Sequence, residues 1–179
     1  GFYFMTVCTN HRKHLFGDVI SGRDCGKVIL NPAGEMVSAW WYAINDKFPF
    51  AGTVKHVVMP NHFHGILRIF RRGRPVCRPI GLRRPSGSCR PGACTGRHTG
   101  SCTGGHTGPP LHRIVQWFKT MTTNAYIRGV KEKGWHRFKK RLWQRNYYER
   151  VIRNRKELRK IQRYIKNNPT EWLLDKKTD

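Results

Sequence analysis

The sequence predicts an α+β fold, one antiparallel sheet of four to five strands with helices packed on it. Three observations carry that expectation. Segments with the two-residue apolar period of strands mix with segments of helical period, without the regular strand–helix–strand alternation of a parallel sheet. Two apolar strands, 54–59 and 62–70, meet at Pro60-Asn61, a turn pair in which proline fixes φ and Asn tolerates unusual dihedrals, so they read as a hairpin. A hydrophobic content of 38%, with 12% aromatic residues, over 179 residues suffices for one ordinary core. The chain therefore reads as a single domain, 1–179, carrying an insertion at 71–110.

The elements follow in order. Residues 2–8 are aromatic and β-branched and predict a strand. Val19-Ile20 and Val28-Ile29-Leu30, separated by Gly and Asp, predict a small hairpin. Asn31-Pro32 opens a helix, cap residue first and proline in the first turn. Met36, Val37, Trp40, Trp41 and Ile44 form its buried stripe, and Phe48-Pro49 ends it. Residues 71–110 hold 9 of the 18 glycines and 6 of the 10 prolines. With so little to bury, that segment cannot offset its ordering entropy, and a disordered or loosely held loop is expected. Ile114, Phe118, Met121 and Ala125 predict a further helix from Leu111, with Gly129 as its stop. Residues 142–152 predict a strand. Asn154, with Glu157 three residues on, opens a last helix over 155–168, with Leu158, Ile161 and Ile165 as its apolar stripe and Pro169 as its stop.

Charge is the compositional outlier. The 35 Lys and Arg against 10 Asp and Glu give a formal +25. The excess lies in the second half: residues 71–110 carry eight arginines and no acid, and residues 111–179 carry 20 basic against 6 acidic side chains. Such a field attracts polyanions, nucleic acid foremost. No apolar run approaches the roughly 20 residues that span a bilayer, so no membrane partner is expected. The chain opens inside a strand, so residues upstream are expected, and no leader of secretory type is visible. The six cysteines (Cys8, Cys25, Cys77, Cys89, Cys94, Cys102) then read as reduced thiols of a cytoplasmic, nucleoid-associated protein.

Several groups could carry chemistry. His62 and His64 flank Phe63 on one strand, so both imidazoles point one way and Phe63 points into the core. Neutral ring nitrogens converging on one point suit a divalent metal, although such a pair can also be a surface or hydrogen-bonded couple. Tyr164 and Asn168, four apart on the last helix, share a face. By itself that tyrosine reads sooner as a core residue with a satisfied hydroxyl, and Asn168 can be no more than a helix cap before proline. Tyr147 and Tyr148 are rival phenols on adjacent positions, expected to face opposite ways and to serve packing and stacking. His56 is expected to be structural and His136 solvated. The repeat Cys94-x₃-His98 and Cys102-x₃-His106 offers a zinc ligand set, but its Thr/Gly flanks favour a duplicated linker. Arg113, Lys119, Arg153, Lys156, Lys160 and Arg163 are the cations expected to hold DNA, with nearby aromatics stacking unpaired bases.

Four blocks, in this order, carry a family resemblance: Val58-Met59-Pro60-Asn61-His62-Phe63-His64-Gly65, Ile114-Val115-Gln116-Trp117-Phe118-Lys119, Trp143-Gln144-Arg145-Asn146-Tyr147-Tyr148-Glu149, and Tyr164-Ile165-Lys166-Asn167-Asn168-Pro169. The sequence resembles the single-tyrosine HUH transposases of the IS200-like group, in particular the REP-associated tyrosine transposases, over 2–70 and 111–172. The resemblance implies the HUH, ferredoxin-like transposase fold. It makes His62, His64 and Asn168 the ligands of Mg²⁺ or Mn²⁺ and Tyr164 the nucleophile. A phenol's ordinary pKa is about 10, so attack at neutral pH needs a neighbouring charge or base. Attack on single-stranded or hairpin DNA would leave a 5′-phosphotyrosine and a free 3′-hydroxyl, keeping the phosphoester energy for rejoining. Relatives of this type act as monomers or homodimers. The alternative is a basic nucleic-acid-binding protein without catalysis.

Overall fold

The computed structural model describes residues 1–21, 26–70 and 110–175. Residues 71–109 of the expected insertion, with its Cys/His repeat, lie outside the described residues. The elements run β1 (Phe2–Cys8), β2 (Gly17–Ser21), β3 (Gly26–Leu30), α1 (Pro32–Tyr42), α2 (Ile44–Lys47), β4 (Ala51–Val58), β5 (His62–Ile69), α3 (Pro110–Lys133), β6 (Tyr148–Ile152) and α4 (Arg155–Asp175). Strands β4, β5, β1 and β6 form one antiparallel sheet in that order, and β2 pairs with β3 in a separate hairpin. The α+β expectation holds.

Alternation along the strands divides the interior in two. Met5 and Val7 of β1 and Phe63 and Leu67 of β5 join α1 and α3 in the larger core. Phe4 of β1 and Ile66 of β5 turn the other way and pack with Ile152 and Ile165 against α4. The sheet is thus covered on both faces. At the centre of the larger core the Phe63 ring lies 4.9 Å from Trp41 and 5.1 Å from Phe118. Such aromatic pairs contribute about 0.5–1.5 kcal/mol each beyond the area they bury. Gly65 allows this close approach, since a Cβ there would overlap the Trp41 ring.

Local signals set most element starts. Asn31 caps α1 by accepting from the Gly34 N–H at 2.9 Å, with Pro32 in the first turn. Met59 N–H donates to the His62 carbonyl at 2.8 Å, which closes a two-residue turn over Pro60-Asn61. Asn154 accepts from the Glu157 N–H at 2.8 Å, and the Glu157 carboxylate takes the Arg153 N–H at 3.0 Å.

The first expected helix is broken at Ala43 into α1 and α2, and three further boundaries differ from the sequence expectation. The strand expected over 142–152 is present only as β6, 148–152; before it, Trp143 makes an isolated bridge to Thr9. Its indole N–H is spent on the Thr122 hydroxyl at 2.9 Å, and the backbone bonds from Asn10 N–H to the Leu142 carbonyl and from Gln144 N–H to the Cys8 carbonyl hold this segment without a longer ladder. Helix α3 passes through Gly129 to Lys133, and Gly134 at φ +66° ends it. Gly129 instead makes room for the Trp135 ring, which folds back against it.

Helix α4 runs through Pro169 to Asp175 rather than stopping at 168. An interior proline costs about 3 kcal/mol through its missing N–H and its ring. Docking offsets that cost. Pro169 is buried, the Gly26 N–H of β3 donates to the Thr170 hydroxyl at 3.0 Å, and Gly26 lacks the Cβ that would overlap the Pro169 carbonyl.

Gly129→Ala tests the packing role against a stop signal. Helix propensity alone favours Ala by about 1 kcal/mol. We expect a net loss of about 1–3 kcal/mol in urea unfolding, because the methyl displaces Trp135.

Candidate active site

The site starts from register. β5 pairs with β1 so that Cys8 lies opposite His62 and Thr6 opposite His64. Both imidazoles therefore emerge on the α4 face, their ring centroids 4.6 Å apart. Each is oriented by a neighbour. The Asn61 side-chain oxygen takes the His62 Nδ1–H at 2.7 Å, and an amide oxygen can only accept, so the His62 Nε2 lone pair is left available. The Thr6 hydroxyl sits 2.7 Å from His64 Nδ1 and permits the same tautomer.

Electrostatics keep both rings neutral. Burial lowers the pKa of His64 to about 3, with the neighbouring His62 adding to the effect. Burial lowers His62 to about 4, against a smaller upward pull from Asn168 and with a further downward push from Arg12. Neutral imidazole is the form that ligates metal.

Helix α4 delivers the other two groups. Ile165 is anchored in the smaller core, which turns Tyr164 and Asn168 toward β5. The Tyr164 ring lies 5.4 Å from that of His64, edge-on, and 6.2 Å from Phe4. Asn168 is buried, and its Oδ1 finds no hydrogen-bond partner of acceptable geometry although it faces His62. A buried acceptor left unpaired is costly, about 1–3 kcal/mol, and calls for a partner. Among the described residues no three His, Cys, Asp or Glu side chains cluster as a ligand set. The third polar group facing the pair is an amide oxygen. Two neutral imidazoles and that orphaned oxygen around one cavity fit a divalent cation.

The cavity measures about 500 Å³. Its lining brings together His62, His64, Tyr164 and Asn168, the four residues expected from the sequence. Tyr148 joins them from β6, while Tyr147 lies in a different cleft, on the α3 side, with its pKa raised to about 12 by burial and by Glu149. Thr6, Cys8, Arg12, Glu171 and Trp172 line it too, and sequence reasoning missed them. Thr6 and Cys8 required the β1–β5 register. Glu171 and Trp172 were hidden by the expected stop at Pro169; the Trp172 ring lies 5.5 Å from His62. His56 faces away from the cavity: its Nε2 meets the Ser38 hydroxyl at 2.8 Å, and burial lowers its pKa. His136 is exposed.

The six cations expected to hold DNA separate into two groups. Arg153, Lys156, Lys160 and Arg163 line one groove of about 1000 Å³ beside β6, joined by Arg150 and Arg159. Within it, Glu157 pairs with Arg150 at 2.8 Å. A smaller cavity of about 220 Å³ shares Arg150 and Lys160 with the groove and Phe4, Tyr148 and Tyr164 with the site, and so links the two. Arg113 is exposed on α3, on the other face of the sheet. Lys119 is only half-exposed: its ammonium donates to the carbonyls of Gln144 at 2.6 Å and Arg145 at 3.0 Å, and burial lowers its pKa. It holds the chain leading into β6.

No protein-family model matches the chain. An uncharacterized protein of Haemophilus influenzae is 33% identical to it over 179 aligned residues, spanning 98% of this chain and 83% of its own. The chain belongs to that protein's family. Among solved structures, a REP-associated tyrosine transposase bound to a REP hairpin superposes on 96% of this chain and 67% of its own, with a TM-score of 0.53 and 18% identity. The likeness is one of fold, and the architecture here is transposase-like. Among the described residues no helix is long and apolar enough to cross a membrane.

The buried imidazoles predict a pH signature in chelator-treated protein. Their pKa values are depressed on folding, so below about 6.5 the unfolded chain takes up protons that the folded one refuses. The urea midpoint should fall as pH drops from about 6.5 toward 4. The double substitution His62→Gln/His64→Gln should flatten that slope.

Proposed function

We propose that the protein is a metal-dependent nuclease and strand transferase for single-stranded DNA, of the REP-associated branch of the IS200-like HUH transposases. One observation carries the reading. A phenol, two neutral imidazoles and an unpaired amide oxygen, drawn from two distant segments, meet in one cavity that opens toward a groove of six cations. The four sequence blocks and the transposase-like fold support it.

His62, His64 and Asn168 would hold Mg²⁺ or Mn²⁺, which supplies Lewis acidity toward a phosphate oxygen. The hard oxygens of a phosphate substrate favour those ions over Zn²⁺, which two histidines alone would also accept. The chain's own side chains do the rest. Tyr164, 40% exposed at the mouth of the cavity, is the nucleophile. Asn61 and Thr6 fix the ring orientations of the histidines. The groove cations take the strand's phosphates, and Tyr148 and Trp172, which line the cavity, offer ring faces and edges to unpaired bases. The substrate class is DNA that folds as imperfect palindromes, such as repetitive extragenic elements, with transposition as the process served.

Incubation with hairpin strands labelled at either end tests this. With Mn²⁺ the protein should become covalently attached to the 3′-side fragment through its 5′ phosphate. Tyr164→Phe should abolish the attachment while leaving binding nearly intact, and Tyr148→Phe should keep it. Binding without metal-dependent cleavage would leave a nucleic-acid-binding module. A second test reads the groove: replacing Lys156, Lys160 and Arg163 by Ala should reduce the slope of log K against log salt for a single strand by about 2.

A further inference from the structure

We propose that Arg12 is a phosphate-binding residue of this site, its guanidinium taking the non-bridging oxygens of the phosphate that Tyr164 attacks. The inference rests on the nuclease reading above and adds to it a residue outside the four sequence blocks.

Charge balance motivates it. The groups that would hold the metal are neutral, two imidazoles and an amide, and Tyr164 adds no positive charge. Among the described residues lining the cavity, Arg12 is the sole arginine or lysine, and Glu171 is the sole acid. Arg12 makes no ion pair within 4 Å with Glu171 or with any other described acid, the one such pair being Arg150–Glu157. A guanidinium presents a planar fork that matches two phosphate oxygens.

Backbone geometry supplies the second observation. His11 (φ 56°) and Arg12 (φ 49°) are consecutive non-glycine residues in the left-handed region. That conformation is unfavourable for L side chains and persists where the surroundings enforce it, commonly at functional sites. The surroundings here do enforce it. The Asn10 N–H donates to the Leu142 carbonyl at 2.8 Å, and the Thr9 hydroxyl bridges the carbonyls of Lys13 at 2.8 Å and Asn61 at 2.9 Å. Asn61 is the residue that orients His62. The same clamp therefore sets one ligand and aims the Arg12 side chain at the same cavity. Its proximity is felt at His62, whose protonation it opposes.

The step balances without a further reactant. The Tyr164 oxygen bonds to phosphorus, the bond from phosphorus to the 3′ oxygen breaks with both electrons going to that oxygen, and the phenol proton goes to solvent while the 3′ oxygen takes one up. Negative charge grows on the non-bridging oxygens as this happens, which is where a fixed cation lowers the barrier.

The test uses the full chain and the hairpin strand of the cleavage assay. Arg12→Gly relaxes the left-handed backbone, so its unfolding midpoint should equal or exceed that of the parent. Its rate of phosphotyrosine formation should nevertheless fall by about 100-fold or more, and Arg12→Lys should recover part of it. In the Tyr164→Phe background, Arg12→Gly should weaken binding to the natural strand. That loss should disappear when the scissile phosphate is replaced by an uncharged methylphosphonate. Undiminished phosphotyrosine formation by Arg12→Gly, or an equal loss of affinity for both strands, overturns the proposal while leaving the nuclease standing. A parent protein that forms no phosphotyrosine overturns the nuclease reading and this assignment with it.

Discussion

The passage of β5 through the middle of the sheet is the constraint on which the rest of the molecule depends. Its residues alternate between two interiors, Phe63 and Leu67 toward α1 and α3, His62, His64 and Ile66 toward α4. A slip of one residue against β1 would drive both imidazoles into the larger core and turn Phe63 to the α4 face. Phe63 is fully buried between Trp41 and Phe118, so that slip is opposed by the aromatic packing of the larger core. Hydrophobic packing on one face thereby enforces the polar geometry of the other.

The second requirement is that α4 continue past Pro169. Its first half is held by the short apolar stripe that ends at Ile165, and its second half by the β2–β3 hairpin at Gly26 and Thr170. Tyr164 and Asn168 lie on either side of Ile165, with Glu171 and Trp172 one turn on from Asn168. Had the helix ended at 168, Asn168 would be a solvated cap with water for its amide. Inside the helix and against β5, its oxygen is buried and unpaired instead. The cost of one interior proline and one orphaned acceptor is borne at the site itself, which is where such departures from local rules tend to gather.

Charge is arranged with the same asymmetry. The cations of β6 and the first turns of α4 gather in one groove, while Lys119 is withdrawn to hold the 144–145 backbone. Its two carbonyl contacts show why a cation's position in sequence says little about its use. A lysine that can reach two backbone oxygens serves the fold, and one whose stem lies along an open edge stays available to phosphate.

Much of this was legible in the chain before folding. The period-2 run around His62 and His64, the Pro60-Asn61 turn, the Asn31 and Asn154 caps and the i, i+4 spacing of Tyr164 and Asn168 are local properties, decided by φ preferences and side-chain direction within a few residues. Register and helix extent are not local. Which β1 residue stands opposite each histidine, whether a helix survives a proline, and whether a glycine ends a helix or admits Trp135 depend on segments far away in sequence. The sequence by itself thus determined which chemical groups this protein can present and on which face of each element. Only the tertiary structure decided their meeting, because the free energy that overrides Pro169, orients Arg12 and buries the Asn168 oxygen comes from contacts no single segment contains.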